Sequence, residues 1–311
     1  MKIMFMGTPD FAVLCLESLI NAGHEIISVV TTPDKPRGRG HKMCPTPVGE
    51  YAENKGIEVF KPINLKKESF EEFLNEKNPD LIVVVAYGKI LPPYVLSYPK
   101  YGCVNVHASL LPKYRGAAPI QRSIIDGEKV TGVTTMYMAK ALDTGDMLLK
   151  SEVEITPDDN FETLHDKLAK EGADLIVKTV EAFENGTINP VPQDDALSNY
   201  AKMITKETAL IDWSKNANDI HNQVRGLYPI PKAFTFYQGK QLKICRTFVT
   251  DEKTSKNAGC IISADKDFFS VACGEGTVLK VLEIQAEGKK KMNVSDYLLG
   301  NTIDTGVILG G

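Results

Sequence analysis

Asn105 and His107 are the two side chains of this sequence whose types and spacing are best suited to catalysis. They stand two places apart in a short segment, residues 102–107, that has the pattern of a buried strand. Because alternate residues of a strand share a face, the amide and the imidazole should point the same way. We expect them at the carboxyl end of a parallel strand, where open α/β sheets bind ligands. Such a pair can hydrogen-bond a carbonyl oxygen that is becoming tetrahedral, which is the chemistry of acyl transfer.

The segment that follows, residues 109–119, favours this catalytic interpretation over that of a structural histidine at a strand end. Only two of its eleven residues carry a charge, and the others include several small or rigid ones: Ser109, Leu110, Leu111, Pro112, Gly116, Ala117 and Ala118. Such a loop can form the wall of a site for an apolar, planar ligand. Its alternative role is a tight connection into a helix predicted over residues 118–126.

Two carboxylates, Asp143 and Asp146, lie in a turn between two later strands. In the structural interpretation, an aspartate caps the backbone of its own hairpin turn. In the functional interpretation, one carboxylate faces the Asn105 and His107 pair, where it favours imidazolium or orients a water that carries a proton. The spacing alone does not choose between Asp143 and Asp146.

A basic segment, residues 32–47, follows the second predicted strand. It holds no acid between Asp34 and Glu50, and its cations are Lys35, Arg37, Arg39 and Lys42. Its four prolines and two glycines predict a long loop without regular structure. A run of charge is often only a solvated surface, but loops of this length in a folded domain are usually functional or disordered. Clustered cations on such an arm suit a phosphate backbone.

The elements that must position these residues alternate between strand and helix over roughly the first 185 residues, which predicts a Rossmann-like, mostly parallel α/β sheet. Strands are predicted over residues 2–6, 26–31, 57–60, 81–86 and 103–107. Helices are predicted over residues 9–21, 47–55, 67–75, 118–126 and 161–184. Residues 130–138 and 147–155 are joined by a segment too short for a helical crossover, so we expect an antiparallel pair.

A change of pattern at residue 189 predicts a domain boundary. We expect a catalytic domain over residues 1–188, a linker over residues 189–205 and a smaller domain over residues 206–311. Short apolar runs in the last region predict a five- or six-stranded, OB-like β-barrel. Candidate cations on its surface are Lys206, Lys215, Arg225 and Lys232.

The composition excludes several classes of protein. A chain of 311 residues that is 43% hydrophobic can bury two cores, and it lacks the run of roughly 18 apolar residues that a membrane span needs. Its six cysteines are dispersed, and His41 with Cys44 does not make a zinc site, so we expect reduced thiols and no metal. No Gly-x-Gly-x-x-Gly motif follows the first strand, which argues against a nicotinamide cofactor. We expect a cytoplasmic monomer.

Taken together, the three motifs resemble those of the folate-dependent formyltransferase family. They are Asn105-x-His107, the segment over residues 109–119, and Leu-Asp-Thr-Gly-Asp-Met at residues 142–147. The resemblance extends over essentially the whole chain. It implies that Asn105, His107 and Asp143 are the catalytic residues and that 10-formyl-tetrahydrofolate is the formyl donor. It also implies that the folate contacts a loop made of Ser109, Leu110, Leu111 and Pro112.

Within that family, residues 7–11 and the basic segment are similar to the members that act on methionyl-tRNA. This resemblance implies that the basic loop enters the acceptor arm of the initiator tRNA, with Lys35, Arg37, Arg39 and Lys42 as the binding residues. It further implies that the C-terminal barrel binds tRNA. The alternative is a sugar-nucleotide formyltransferase, because those members share the catalytic motifs.

Overall fold

The computed structural model describes residues 1–37 and 42–310 of the chain. Its strands, in chain order, are β1 (Lys2–Gly7), β2 (Glu25–Val30), β3 (Lys35–Arg37), β4 (Lys42–Cys44), β5 (Val59–Phe60), β6 (Leu81–Val85), β7 (Cys103–His107), β8 (Arg115–Gly116), β9 (Val130–Tyr137), β10 (Met147–Glu154), β11 (Tyr200–Ala201), β12 (Ala233–Tyr237), β13 (Lys240–Lys253), β14 (Ile261–Ala264), β15 (Phe269–Ala272), β16 (Thr277–Ala286) and β17 (Met292–Asn293). Its α-helices are α1 (Asp10–Asn21), α2 (Pro47–Asn54), α3 (Lys67–Lys77), α4 (Pro93–Leu96), α5 (Pro119–Ile125), α6 (Phe161–Glu184), α7 (Lys206–Ala209), α8 (Ala217–Gly226) and α9 (Val294–Leu298).

The chain divides into two units. The first comprises Met1–Pro119, Val130–Glu154 and His165–Ala201, and the second comprises Ile120–Lys129, Ile155–Leu164 and Lys202–Gly311. The segment expected to be a linker, residues 189–205, is largely part of the first unit. Within it, Val191 pairs with Met147, and β11 pairs with β8.

A seven-stranded sheet forms the centre of the first unit, in the order β10-β9-β7-β6-β1-β2-β5. The five strands from β7 to β5 are parallel, whereas β9 is antiparallel to both β7 and β10. The predicted mostly parallel α/β sheet and its antiparallel pair are therefore confirmed. Every residue of β6 is buried, as the continuous apolar run Leu81–Val85 requires for a strand covered on both faces.

Local signals in the sequence set the helices that flank this sheet. Thr46 caps α2 by accepting a hydrogen bond from the Gly49 N–H at 3.0 Å, and Pro47 occupies the first turn, where its missing N–H costs nothing. One core cluster packs α3 against the sheet through Phe70 and Leu74, which contact a group that includes Met4, Met6 and Val84. Because β1 pairs parallel with both β2 and β6, the carboxyl ends of these three strands lie at one edge of the sheet.

A six-stranded antiparallel sheet forms most of the second unit, in the order β12-β13-β16-β15-β14 with β17 paired to β16. The predicted number of strands is confirmed, and register shifts along β13 mark the bulges that curve such a sheet. Its core includes Trp213, whose indole N–H donates to the Thr235 hydroxyl at 3.0 Å.

One candidate cation of the second unit has a structural role instead. The Arg225 guanidinium is half-buried and donates to the backbone oxygens of Thr156 at 3.1 Å and Asp159 at 2.9 Å. Burial lowers its pKa from the ordinary value. Arg225 is therefore poorly placed to meet a phosphate, because its donors already satisfy main-chain carbonyls.

None of the helices in the described part of the chain combines the length and the apolar character that a membrane span requires.

Candidate functional site

Asn105 and His107 lie on β7, between β6 and β9. Asn105 pairs with Val84 on one side and Met136 on the other, and His107 pairs with Thr134. The strand alternates as expected, and β7 ends at His107, at the carboxyl edge of the parallel strands. Asn105 is half-buried, whereas His107 is only 6% exposed. The structure therefore brings the amide and the imidazole to the predicted edge.

Each ring nitrogen of His107 faces a different group. Nε2 lies 2.9 Å from the Tyr114 carbonyl oxygen, to which it can only donate. Nδ1 lies 3.8 Å from Oδ2 of Asp143, which is within ion-pair range but too long for a hydrogen bond. Because the carbonyl holds Nε2, Nδ1 is the nitrogen that faces the space beside the carboxylate.

Asp143 is held in place from its side chain and from its backbone. Its Oδ2 accepts a hydrogen bond from the Gly116 N–H at 2.9 Å, and its φ of +52° lies in the left-handed region. Aspartate tolerates that region better than most residues because its short side chain can bond locally. The side chain is 12% exposed. Its Oδ2 lies within ion-pair range of the His107 imidazole.

Asp146 faces a different neighbour. Its backbone oxygen accepts from the Tyr137 N–H at 2.9 Å, and its carboxylate helps burial to raise the Tyr137 pKa. The backbone between the two aspartates lies against β9, since a Cβ on Gly145 would stand 1.9 Å from the Tyr137 oxygen. The turn therefore directs Asp143, and not Asp146, toward His107.

The loop after β7 is anchored by Thr134, a residue that the sequence analysis did not single out. The Thr134 hydroxyl donates to the Ser109 oxygen at 2.7 Å and accepts from the Leu111 N–H at 3.1 Å. A buried hydroxyl that satisfies two backbone groups fixes the loop firmly. The signal was the presence of three threonines, Thr131, Thr134 and Thr135, in a strand that is otherwise largely apolar.

The four loop residues expected to contact folate differ in exposure. Ser109 is fully buried and donates to the Lys113 oxygen at 2.7 Å, and Leu111 is 1% exposed and packs against Met136 and Met147. Leu110 and Pro112 are half-buried. The side-chain surface that this loop offers to a ligand therefore comes from Leu110 and Pro112, while Ser109 and Leu111 hold the loop to the protein.

A groove of about 530 Å³ lies at the carboxyl ends of β1, β2 and β6. Its lining includes two lysines, Lys35 and Lys89. The Lys89 ammonium donates to the backbone oxygens of Pro62 at 2.7 Å and Ile63 at 2.8 Å. Burial lowers the pKa of Lys89, and the positive charge of Lys35 lowers it further. The lining also includes the Asp34 carboxylate, which pairs with Lys61 at 3.0 Å.

The basic segment has more regular structure than its composition predicts. Lys35–Arg37 and Lys42–Cys44 pair as a short antiparallel ribbon, with Pro36 opposite Met43. The expectation that its prolines forbid a regular element was wrong, because alternate residues of a two-stranded ribbon need no N–H toward the partner. Lys35 is exposed, and Arg39 lies outside the described residues.

Two family models match the chain. The model for formyl transferase matches residues 1–180, and the model for the formyl transferase C-terminal domain matches residues 203–302. Curated relatives are similar over the full length of both chains. The methionyl-tRNA formyltransferase of Alkaliphilus oremlandii is 52% identical, and that of Ruminiclostridium cellulolyticum is 50% identical, each with 100% of both chains covered.

Solved structures with low sequence identity share the fold. An N-formyltransferase from Helicobacter canadensis, in complex with folinic acid and dTDP-3-aminofucose, has a TM-score of 0.68 at 20% identity and covers 92% of this chain and 99% of its own. HypX from Aquifex aeolicus, in complex with tetrahydrofolic acid, has a TM-score of 0.64 at 15% identity and covers 98% of this chain but 50% of its own. This chain therefore spans about half the length of HypX.

Proposed function

This chain belongs to the formyl transferase family, and we propose that it transfers the formyl group of 10-formyl-tetrahydrofolate to the α-amine of methionyl-tRNA. The observation that carries the chemistry is the approach of the Asp143 carboxylate, 3.8 Å away, to His107, which shares β7 with Asn105. The choice of methionyl-tRNA is supported by two relatives, both methionyl-tRNA formyltransferases, that are 52% and 50% identical to this chain over its full length. The sugar-nucleotide alternative has only the support of a fold shared at 20% identity.

Asn105 and His107 would stabilise the oxygen of the formyl group as the amine attacks its carbon. Attack by an uncharged amine forms a carbon–nitrogen bond and places negative charge on that oxygen. Since Nε2 of His107 is held by the Tyr114 carbonyl, Nδ1 is the donor free to meet the oxygen, together with the Asn105 amide. A preorganised donor of this kind stabilises the transition state by about 3–4 kcal/mol.

Asp143 would have two roles, one toward the charge on the His107 ring and one toward the proton that the attacking amine must lose. Its carboxylate lies 3.8 Å from Nδ1, where its negative charge would balance positive charge on the His107 ring as the oxyanion forms. After attack the amine nitrogen carries an extra proton, which Asp143 would accept. The bond between the formyl carbon and N10 of the folate would then break, and the proton held by Asp143 would pass to N10 as tetrahydrofolate leaves.

The folate would lie against the half-buried surface of Leu110 and Pro112. Both residues belong to a loop that Thr134 and Lys150 tie to the sheet through the backbone of Ser109 and Leu111. An apolar wall on a fixed backbone suits a planar ring. Folates in two proteins of the same fold make a folate-type donor the natural expectation.

The tRNA would approach along the groove at the carboxyl edge of the parallel sheet. Lys35 and Lys89 line that groove, and Arg37, Arg39 and Lys42 follow Lys35 in the sequence of the basic segment. Cations at this edge would contact the phosphates of the acceptor arm. We further propose that residues 206–311 form a tRNA-binding domain.

The direct test is formyl transfer to charged tRNA. We expect the purified protein, incubated with 10-formyl-tetrahydrofolate and initiator methionyl-tRNA, to yield formylmethionyl-tRNA. Uncharged tRNA is the matched control, because it offers the same phosphates without the α-amine. Formylation of a sugar nucleotide carrying an amino group, with no formylmethionine produced, would replace this proposal with the alternative.

A further inference from the structure

The Gln193 side chain makes an unusual set of contacts beside the proposed site. Its amide nitrogen donates to two backbone oxygens of the turn that carries Asp143, those of Asp143 at 2.9 Å and Gly145 at 2.8 Å. Its amide oxygen accepts from Nε of Arg115 at 2.9 Å. Both donor hydrogens and the acceptor of one half-buried amide are therefore used on two different segments of the chain.

Arg115 is the centre of a short segment that touches both His107 and Asp143. The preceding residue, Tyr114, gives its carbonyl oxygen to His107, and the following residue, Gly116, gives its N–H to the Asp143 carboxylate. Arg115 itself is only 9% exposed, and its second anchor is Asp195 at 2.8 Å. The main chain of Tyr114, Arg115 and Gly116 thus spans the gap between the imidazole and the carboxylate.

Strained backbone conformations occur at one end of this span and in the turn that carries Asp143. Tyr114 and Asp143 both have φ values in the left-handed region, +60° and +52°. Residues other than glycine rarely adopt this conformation, and it persists when surrounding contacts hold it. Gly116 is also crowded, since a Cβ there would stand 2.8 Å from the Tyr200 ring. Gln193 joins the two strained segments directly.

We propose that Gln193 is a positioning residue, which keeps the Asp143 carboxylate at its distance from His107 through Arg115 and the turn backbone. This inference rests on the proposed function, because it assigns Gln193 a part in formyl transfer. Gln193 would touch neither the folate nor the amine. Its effect would reach the reaction only through Asp143.

The first test compares Gln193→Ala and Gln193→Glu with the wild type. Glutamate keeps the acceptor for Arg115 but turns an oxygen toward the carbonyls of Asp143 and Gly145, so both variants lose the donated bonds. We expect kcat for formyl transfer to fall about 10- to 100-fold in each, as displacement of a reacting group by about 1 Å can do. The KM for the formyl donor should stay within about twofold, because Asp143 acts on the reacting atoms rather than on folate binding.

The decisive test is a double-mutant cycle with Asp143. If Gln193 acts through Asp143, then Gln193→Ala should reduce kcat no further in an Asp143→Ala background. A full additional loss in that background would overturn the proposal, and so would an unchanged kcat in the single variants. A wild type with no formyl transfer to methionyl-tRNA would instead defeat the proposed function, which separates the two failures.

Gln223 provides a matched control. Its amide nitrogen also donates to two backbone oxygens, those of Thr208 at 2.7 Å and Leu210 at 3.1 Å, but these lie in the second unit. Gln223→Ala should lower the thermal unfolding midpoint by about as much as Gln193→Ala does. It should leave kcat at saturating tRNA unchanged. An equal loss of kcat in the two glutamine variants would show a general loss of structure and overturn the positioning role.

Discussion

The surroundings of His107 and the basic segment after β2 differ in how their functional groups are held. The His107 imidazole is 6% exposed, and neighbouring backbone groups fix both it and its carboxylate partner. Lys35 of the basic segment is exposed, and its neighbours along the chain offer further positive charge. Transition-state stabilisation depends on positions within fractions of an ångström, whereas attraction of phosphates depends on charge over about 10 Å.

This contrast predicts that substitutions in the two regions will change different kinetic constants. Substitutions near His107 should reduce kcat and show little dependence on salt. Substitutions in the basic segment should change the KM for tRNA and its dependence on salt, with kcat preserved.

The largest effect is expected for His107→Ala. Loss of a preorganised donor should lower kcat by about 10²- to 10³-fold, while the KM for the formyl donor stays within about twofold. Initial rates of formylmethionyl-tRNA formation measure both constants. His221→Ala is the control, since it removes an imidazole from the second unit and should leave kcat unchanged. A near-normal rate for His107→Ala would remove His107 from the mechanism.

Asp143→Asn should reduce kcat somewhat less, by about 10²-fold. The substitution keeps the shape of the side chain but removes the charge that faces Nδ1 of His107. Asp146→Asn is the matched control in the same turn, and it should keep kcat within about twofold because its carboxylate faces Tyr137. If the two variants exchanged these effects, Asp146 would replace Asp143 in the mechanism.

The double variant of Lys35→Ala and Arg39→Ala should raise the KM for tRNA about tenfold and leave kcat unchanged. Each lost phosphate contact should also make the log–log dependence of affinity on salt shallower by about one unit. Binding titrations between about 50 and 200 mM salt measure this slope. Lys178→Ala removes an exposed cation from α6 and is expected to change neither quantity. An unchanged slope in the double variant would reduce the basic segment to a solvated surface.

The smallest effect concerns the pH dependence of stability, which His221 of the second unit should influence without any change at the proposed site. Burial and the nearby Arg225 lower the pKa of His221 from 6.5 to about 4. Below pH 6.5 the His221 imidazole binds a proton more readily in the unfolded chain than in the folded protein. The free energy of unfolding is therefore highest above pH 6.5 and declines as the pH falls toward about 4. The free energy of unfolding should drop by about 2 kcal/mol more in the wild type than in His221→Gln between about pH 7 and pH 5. Denaturant titrations at the two pH values would show equal drops if His221 did not contribute.

The parts of the site that depend on local periodicity could be predicted from the sequence. Asn105 and His107 share a face of β7 because a strand has a period of two, and the apolar run of β6 marked its buried neighbour. The two aspartates could not be separated in this way. Their difference comes from contacts with Gly116 and Tyr137, which are set by the packing of the turn.

The contacts of Gln193 could not be predicted from the sequence for a related reason. Its surroundings, rich in proline and aspartate, have the composition of a linker, and composition carries no information about which carbonyls an amide will meet. The regular ribbon at Lys35–Arg37 could not be predicted from proline content either, because the effect of a proline depends on whether its missing N–H would have faced the partner strand.

The span of main chain from His107 to Gly116 limits how the family can diverge. One end carries the His107 imidazole, and Gly116 at the other end donates its N–H to the Asp143 carboxylate. The eight intervening residues therefore help to set the distance between the imidazole and the carboxylate. Side chains along it can be exchanged during evolution, but an insertion or deletion there would move the imidazole and the carboxylate apart. Active relatives should therefore tolerate changes in chain length at the tips of exposed turns and not within this span.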